Sequence, residues 1–265
     1  MAAFYKKKYY TPGDKEAFRL SRSKIDLFIE CPRCFYLDRR IGVARPQGFP
    51  FNLNSAVDLL LKKEFDVHRD DATPHPYMID NNIPAVPFAH EEMNTWRENF
   101  VGAQTLHKET NFLITGAVDD VWIYTDGPDK GKLIIVDYKA TSKDGEVTLE
   151  AEWQDGYRRQ METYQWIFRR LGFDVSDTGY FVYANGLRDK PGFDNKLEFV
   201  IKTIPHKGKT EWIDKTLLDI KKCLDDDRIP KEKETCDYCK YRTAAGTAFK
   251  AHAETMAKKG KTMFE

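Results

Sequence analysis

Apolar residues change their spacing twice along this chain, and the changes divide it into predicted elements. Ile25, Phe28 and Ile29 share one face of a helix predicted from Lys24 to about Leu37, with Leu20-Ser21-Arg22-Ser23 as its start and a serine as its cap. Glycine and proline from Gly42 to Pro50 predict a loop. Val57, Leu60, Leu61 and Phe65 then restore helical spacing from Asn54 to about Arg69. Asp70 to Pro87 contains four prolines and predicts a long connection, followed by a short helix over Glu91 to Val101.

The middle of the chain turns to β-branched and aromatic residues. Asn111 to Tyr124 is a predicted strand. A second runs from Lys132 to Lys139, where the unbroken run Leu133-Ile134-Ile135-Val136 suits a strand covered on both faces. Asp126-Gly127 and Lys130-Gly131 lie between them, which predicts a hairpin with a long loop. Glu150 to Leu171 is a helix stopped by Gly172. Thr178 to Ala184 and Leu197 to Thr203 are strands joined by the turn from Gly186 to Phe193, and Trp212 to Leu224 is an amphipathic helix. The segment after Cys239 ends in a lysine-rich, frayed tail. This order predicts an α/β fold with a small central mixed sheet flanked by helices.

Composition narrows the function classes. With 41% hydrophobic residues in 265, the chain can bury the core of one large domain, so disorder is not the expectation. Basic and acidic residues number 42 each, so a polyanion would have to be held by local patches and not by bulk charge. Candidate patches are Lys6-Lys7-Lys8, Arg39-Arg40, Lys207 to Lys209 and Lys258 to Lys261. No run approaches the ~20 apolar residues of a membrane span, and two C-x-x-C pairs fit a reducing compartment better than a disulfide framework. A soluble, cytoplasmic protein is expected, with a basic leader over 1–20, one domain over 21–242 and a tail over 243–265.

Candidate chemistry sits at two predicted strand ends. Gly116-Ala117-Val118-Asp119 closes one, and Val136-Asp137-Tyr138-Lys139 closes the apolar run of the other. Two carboxylates brought together repel unless a cation lies between them, and hard oxygen ligands beside a phosphate site suit Mg²⁺ or Mn²⁺. Asp137 and Lys139 alternate along a strand, so they share a face while Tyr138 points away. An ammonium there can orient a water and offset charge developing on phosphate. D-x-K alone occurs often by chance. Downstream, Gln160 and Tyr164 lie four apart on one helix face, flanked by Arg158, Arg159, Arg169 and Arg170, a set able to touch phosphates and stack on bases.

Taken in order, Gly116 to Asp119, Asp137 to Lys139 and Gln160 to Tyr164 resemble the G-x-x-D, D/E-x-K and Q-x-x-x-Y signature of the RecB-like branch of the PD-(D/E)XK nuclease superfamily. Ser23-Lys24-Ile25, Phe28 and Cys31-Pro32-Arg33 resemble that family's opening, so the resemblance covers about Ser21 to Arg242. It implies a restriction-endonuclease-like core. It further implies that Asp119, Asp137 and the carbonyl of Tyr138 are metal ligands, that Lys139 orients water, and that Gln160 and Tyr164 support the lysine and the DNA. Asp120 is a rival for the first ligand; Asp119 keeps the glycine spacing. Where many relatives carry a histidine on the early helix, this chain has Asn54-Ser55-Ala56-Val57-Asp58, and Asp58 is a candidate third oxygen ligand or a solvated helix residue.

Cys31-x-x-Cys34 and Cys236-x-x-Cys239 form a complete four-sulfur set for a metal, whereas the lone Cys223 is expected in the core. Similar iron-sulfur nucleases, the CRISPR-associated RecB-like exonucleases among them, take one cysteine from the N-terminal side and three from the C-terminal side. Here the last of those positions is Ala245, and Cys34 supplies the fourth sulfur instead. The resemblance makes a 4Fe-4S cluster the first reading, and the two-plus-two arrangement equally suits Zn²⁺. Either would join the N-terminal helix to the C-terminal segment.

The function expected is metal-dependent hydrolysis of DNA phosphodiester bonds, on DNA ends or single-stranded DNA. Protein partners would belong to a repair, recombination or replication complex. The alternative is a non-catalytic nucleic-acid-binding or assembly subunit that keeps the nuclease fold. A redox protein would leave the carboxylates unexplained.

Overall fold

The computed structural model describes residues 9–49 and 51–262; Lys6-Lys7-Lys8 lies outside them. The first strand, β1 (Phe18–Ser21), falls at the end of the segment read as a leader. The helix predicted from Lys24 to Leu37 is two helices, α1 (Arg22–Glu30) and α2 (Pro32–Tyr36), followed by a π-helical turn over Leu37–Ile41. The break is at Cys31, whose backbone is extended (φ −162°, ψ 105°) because Pro32 takes the first helical position and disfavours helix in the residue before it. Next come α3 (Asn52–Asp70), α4 (Pro76–Asp80) and β2 (Ala85–Pro87), so the predicted long connection contains a one-turn helix and an edge strand. Proline starts the helix and ends the edge strand, two places where its missing N–H costs nothing.

After α5 (Met93–Arg97) and β3 (Ala103–His107), the segment predicted as one strand is two: β4 (Phe112–Gly116) and β5 (Asp120–Tyr124). They belong to different sheets. A continuous run of β-formers hides such a switch, and only Gly116 at its edge marks it. β6 (Leu133–Thr141), α6 (Asp155–Arg170), β7 (Thr178–Gly186), β8 (Phe199–Lys207) and α7 (Trp212–Asp225) follow close to their predicted places. The segment after Cys239 is helical as far as it is described, within α8 (Asp237–Thr262), and mostly exposed from Lys240 to Lys259; the end of the predicted frayed tail, 263–265, lies outside the described residues.

Two compact units are formed by the described chain. The larger comprises Lys15–Ser23 and Gly48–Leu218. Its five-stranded mixed sheet has the order β2-β5-β6-β7-β8, and a three-stranded mixed sheet has the order β1-β4-β3. As the hairpin prediction required, β5 and β6 pair antiparallel, with Asp120 opposite Val136; β6 and β7 pair parallel, with Asp137 opposite Phe181. Leu133 to Tyr138 are all buried, because both faces of β6 are covered. On one face Leu61 and Phe65 of α3 pack with Met78, Trp122, Ile134, Val136 and Val182. Phe65 stacks on Trp122 with ring centroids 5.3 Å apart, and burying such a ring is worth about 1.5–3 kcal/mol. On the other face lies α6, which also packs on β3 and β4.

The smaller unit gathers the described parts of Met1–Asp14, Lys24–Gln47 and Asp219–Glu265. Phe28 and Phe35 meet edge to face at 5.3 Å, Tyr36 donates to the Asp226 carbonyl, and Arg33 to the Pro230 carbonyl. Chain segments about two hundred residues apart are thus held side by side.

Candidate active site and cysteine cluster

In the larger unit the end of β6 places its side chains by alternation: Asp137 and Lys139 on one face, Tyr138 on the other. Asp137 is wholly buried, with Gln160 Nε2 donating to its Oδ1 at 2.7 Å and the Lys139 ammonium paired with its Oδ2. Gln160 also donates to the Tyr164 hydroxyl at 3.2 Å, so the two residues predicted to share a helix face form one chain of contacts to Asp137. Asp119, in the crossing between the sheets, accepts the Tyr138 backbone N–H on Oδ2 at 2.9 Å and the Lys62 ammonium on Oδ1 at 3.2 Å. Asp58, one turn before Lys62 on α3, takes the same ammonium at 2.8 Å. Asp119, Lys139, Gln160, Asp58 and the Tyr138 position line a cavity of about 430 Å³. Asp137 and Tyr164 do not line it: both are buried behind it and are joined to it through Lys139 and Gln160.

Crowded carboxylates leave an electrostatic mark. Burial raises the Asp137 carboxyl to about 7; the Lys139 ammonium pulls it the other way, and Asp119 adds to the rise. Asp58 is raised by burial and then by Asp119. Burial works against charge on Lys139, but Asp137 and Asp119 outweigh it, so its pKa is raised and it stays an ammonium. Asp58 and Asp119 line the hollow and Asp137 lies buried beside Lys139 at its edge; a divalent cation there would relieve the repulsion that burial enforces.

Asp120 is committed elsewhere. Its buried carboxylate accepts from Arg69, from Arg97 at 3.0 Å and from the Val121 N–H at 2.8 Å, and its other oxygen takes the Tyr138 hydroxyl at 2.6 Å. Gly116 has a contact reason for its identity: a Cβ there would stand 2.4 Å from Tyr164 Cε1, so the bare glycine lets the tyrosine ring seat against the strand.

Some cavity residues carried no sequence signal. Arg22, Asn54 and Tyr157 line it, and Asn54 donates to the Ala140 carbonyl at 2.9 Å. Lys139 Nζ lies 4.6 Å from the centre of the Tyr157 ring. Lys62 could have been found from its i,i+4 spacing to Asp58. The arginines beside Gln160 are used differently from the expectation: Arg158 bonds Asp155, Arg169 bonds Asp177, and Arg170 lies over the Trp166 ring. Gln160 and Tyr164 are buried, and so do not form an open polar helix face. Of the basic clusters, Arg39 is buried and Arg40 pairs with Asp227, which removes that pair as a free phosphate surface. Lys207 and Lys209 are exposed.

In the smaller unit Cys31, Cys34, Cys236 and Cys239 are buried, and their sulfurs lie within 4.8 Å of one another. None of them is joined in a disulfide. Burial would raise the Cys31 thiol, but backbone N–H groups of Lys233 and Cys34 aimed at its sulfur prevail and lower it to about 6. Burial holds Cys239 up at about 12. Arg45 donates to the Cys236 sulfur at 3.6 Å and to Glu30 at 2.6 Å. The set can hold a metal. Cys223 is half-buried and stands outside it.

Among the described residues no helix is long and apolar enough to cross a membrane. No curated protein matches the sequence. The crystal structure of SSO0001 aligns over 82% of this chain and 81% of that one, at 16% identity and a TM-score of 0.39. The sequence model of the PD-(D/E)XK nuclease superfamily matches residues 19–244.

Proposed function

Since the chain belongs to the PD-(D/E)XK nuclease superfamily, we propose that its cavity hydrolyses DNA phosphodiester bonds with a bound Mg²⁺ or Mn²⁺, in the manner of the RecB-like branch. The observation that carries this reading is that Asp119, Lys139 and Gln160 line one hollow, with the buried Asp137 bonded to both Lys139 and Gln160. Asp119 and Asp137 are the proposed metal ligands, with Asp58 and the Tyr138 carbonyl as further oxygens. A divalent ion held there supplies Lewis acidity toward a phosphate oxygen and a more acidic bound water. Lys139, fixed by Asp137 and kept cationic, orients the attacking water and offsets charge on the phosphate as it develops. Gln160 holds Asp137 at a set angle and ties it to Tyr164. Arg22, the other cation lining the cavity, is placed to bind a phosphate oxygen of the substrate.

Single-stranded DNA or a frayed end is the substrate supported by the surroundings. Phe51, 76% exposed, lines the cavity, and Trp153, 67% exposed, meets Tyr157 edge to face at 5.7 Å. Exposed rings beside a phosphate site offer stacking to unpaired bases, which a closed duplex cannot present. A task in repair, recombination or replication, with cytoplasmic location, accords with such a substrate, and the four cysteines serve as a structural metal site.

The test is cleavage of end-labelled single- and double-stranded oligonucleotides with Mg²⁺, Mn²⁺ and EDTA. Lys139→Ala and Asp137→Ala should each lower the metal-dependent rate by about 10²-fold or more. DNA binding by the wild type without cleavage under either metal would instead mark a binding subunit.

A further inference from the structure

We infer that Cys31, Cys34, Cys236 and Cys239 hold one tetrahedral zinc ion and not a four-iron cluster. The sulfurs of Cys34 and Cys236 are 3.5 Å apart, those of Cys34 and Cys239 3.6 Å, those of Cys31 and Cys239 3.8 Å, and no pair exceeds 4.8 Å. Four thiolates on one zinc, at a bond length of about 2.3 Å, occupy the corners of a tetrahedron with edges of about 3.8 Å. A 4Fe-4S cluster carries each thiolate on a different iron, directed outward from the core, which sets neighbouring thiolates roughly 6 Å apart. The observed edges match the single ion. To admit the cluster every pair would have to separate by about an ångström or more, and the three closest pairs by about two.

The site is also buried, and each of its turns is held by its own backbone. Cys31, Cys34 and Cys239 have no more than 5% of their surface exposed. Each C-x-x-C turn is closed by its own backbone: the Phe35 N–H donates to the Cys31 carbonyl, and the Cys239 and Lys240 N–H groups donate to the Cys236 carbonyl, all at 3.1 Å. Arg45 caps the set from one side, with its guanidinium on Cys236 and 4.6 Å from the centre of the Tyr238 ring. Four thiolates around a dication leave an excess of negative charge, and Arg45 offsets part of it. Soft sulfur ligands in a closed tetrahedral set suit zinc, which brings no redox change to a buried structural site.

This inference is independent of the reading of the carboxylate cavity, and so is its test. The full-length chain, produced under anaerobic conditions in medium supplemented with both zinc and iron, is analysed for zinc, iron and acid-labile sulfide per chain, and by absorption spectroscopy. One zinc, no sulfide and no band near about 400 nm, where iron-sulfur charge transfer falls, is the expected result. Replacement of the zinc by Co²⁺ should give the visible ligand-field bands of a tetrahedral thiolate site, lost in Cys34→Ser or Cys239→Ser. Four irons with four sulfides, or a single iron without sulfide, overturns the inference. If the serine variants fail to fold, the metal and sulfide content of the wild type still decides the matter.

Discussion

Asp119 and Asp120 are neighbours with the same functional group, and the fold gives them opposite surroundings. Asp120 is enclosed by Arg69, Arg97 and the Tyr138 hydroxyl, with no exposed surface. Asp119 is 22% exposed on its side chain and faces the cavity beside Lys62. Removing one member of a buried charge network leaves the others uncompensated, which costs about 3–5 kcal/mol. Asp120→Ala should therefore lower the unfolding free energy by about that amount in urea titrations. Asp119→Asn should leave stability within about 1 kcal/mol and remove metal-dependent cleavage. The reverse pattern would assign the first ligand to Asp120. Gly116→Ala probes the same site from behind: its Cβ forces the Tyr164 ring to move, and overpacking of this kind costs about 1–3 kcal/mol. Cleavage should fall at least tenfold while the Asp119 side of the cavity is untouched. Unchanged cleavage would mean that the seat of Tyr164 does not matter to the chemistry.

At the scale of elements, α3 is positioned by Phe65, whose ring lies between Trp122 and His75, the latter stacked on it at 4.1 Å. His75 caps α4 by accepting the Tyr77 N–H on Nδ1, while Nε2 faces Glu64 at 3.1 Å, an arrangement that suits the neutral ring with its proton on Nε2. Burial lowers its pKa below the ordinary histidine value, Glu64 and more distant Asp120 oppose the shift, and His68 reinforces it. With the folded value depressed, the unfolded chain takes up the proton first. The contribution to stability is complete above the ordinary value of about 6.5 and is lost as pH falls below it. Melting temperatures from pH 7.5 down to 5 should drop more steeply for the wild type than for His75→Gln; parallel curves would exclude His75 as the source. The long elements were legible in the sequence because one period persists: α3, α6, α7 and the apolar run of β6. The break at Cys31, the switch of sheets after Gly116 and the strand β3 were not, since propensity is blind to which sheet a β-former joins. For the site, alternation placed Asp137 with Lys139 and helical spacing placed Gln160 with Tyr164. Arg22 and Tyr157 have no such regularity; tertiary packing alone brings them to the cavity.

For the whole molecule, the equality of 42 basic and 42 acidic residues has a thermodynamic consequence for DNA binding. Affinity gained by neutralising phosphates depends on salt through the counterions released, with a slope near −0.7 per phosphate on a single strand. The cations lining the cavity are Arg22 and Lys139, and the nearby Lys62 is already shared between Asp58 and Asp119. Two or three phosphates neutralised predict a slope of about −1 to −2 in log K against log salt. On the proposed reading the remaining affinity comes from terms that salt does not screen, namely ring stacking at Phe51 and Trp153 and ligation of phosphate by the proposed metal. The measurement is fluorescence anisotropy of a labelled single strand with Asp137→Asn, which on the proposed mechanism prevents turnover, from 50 to 300 mM KCl at constant Mg²⁺. A slope steeper than about −4 would require a basic track well beyond the cavity. Such a track would have to be drawn from lysines such as Lys207 and Lys209, and the stacking account of single-strand preference would then give way to electrostatic tracking of the backbone.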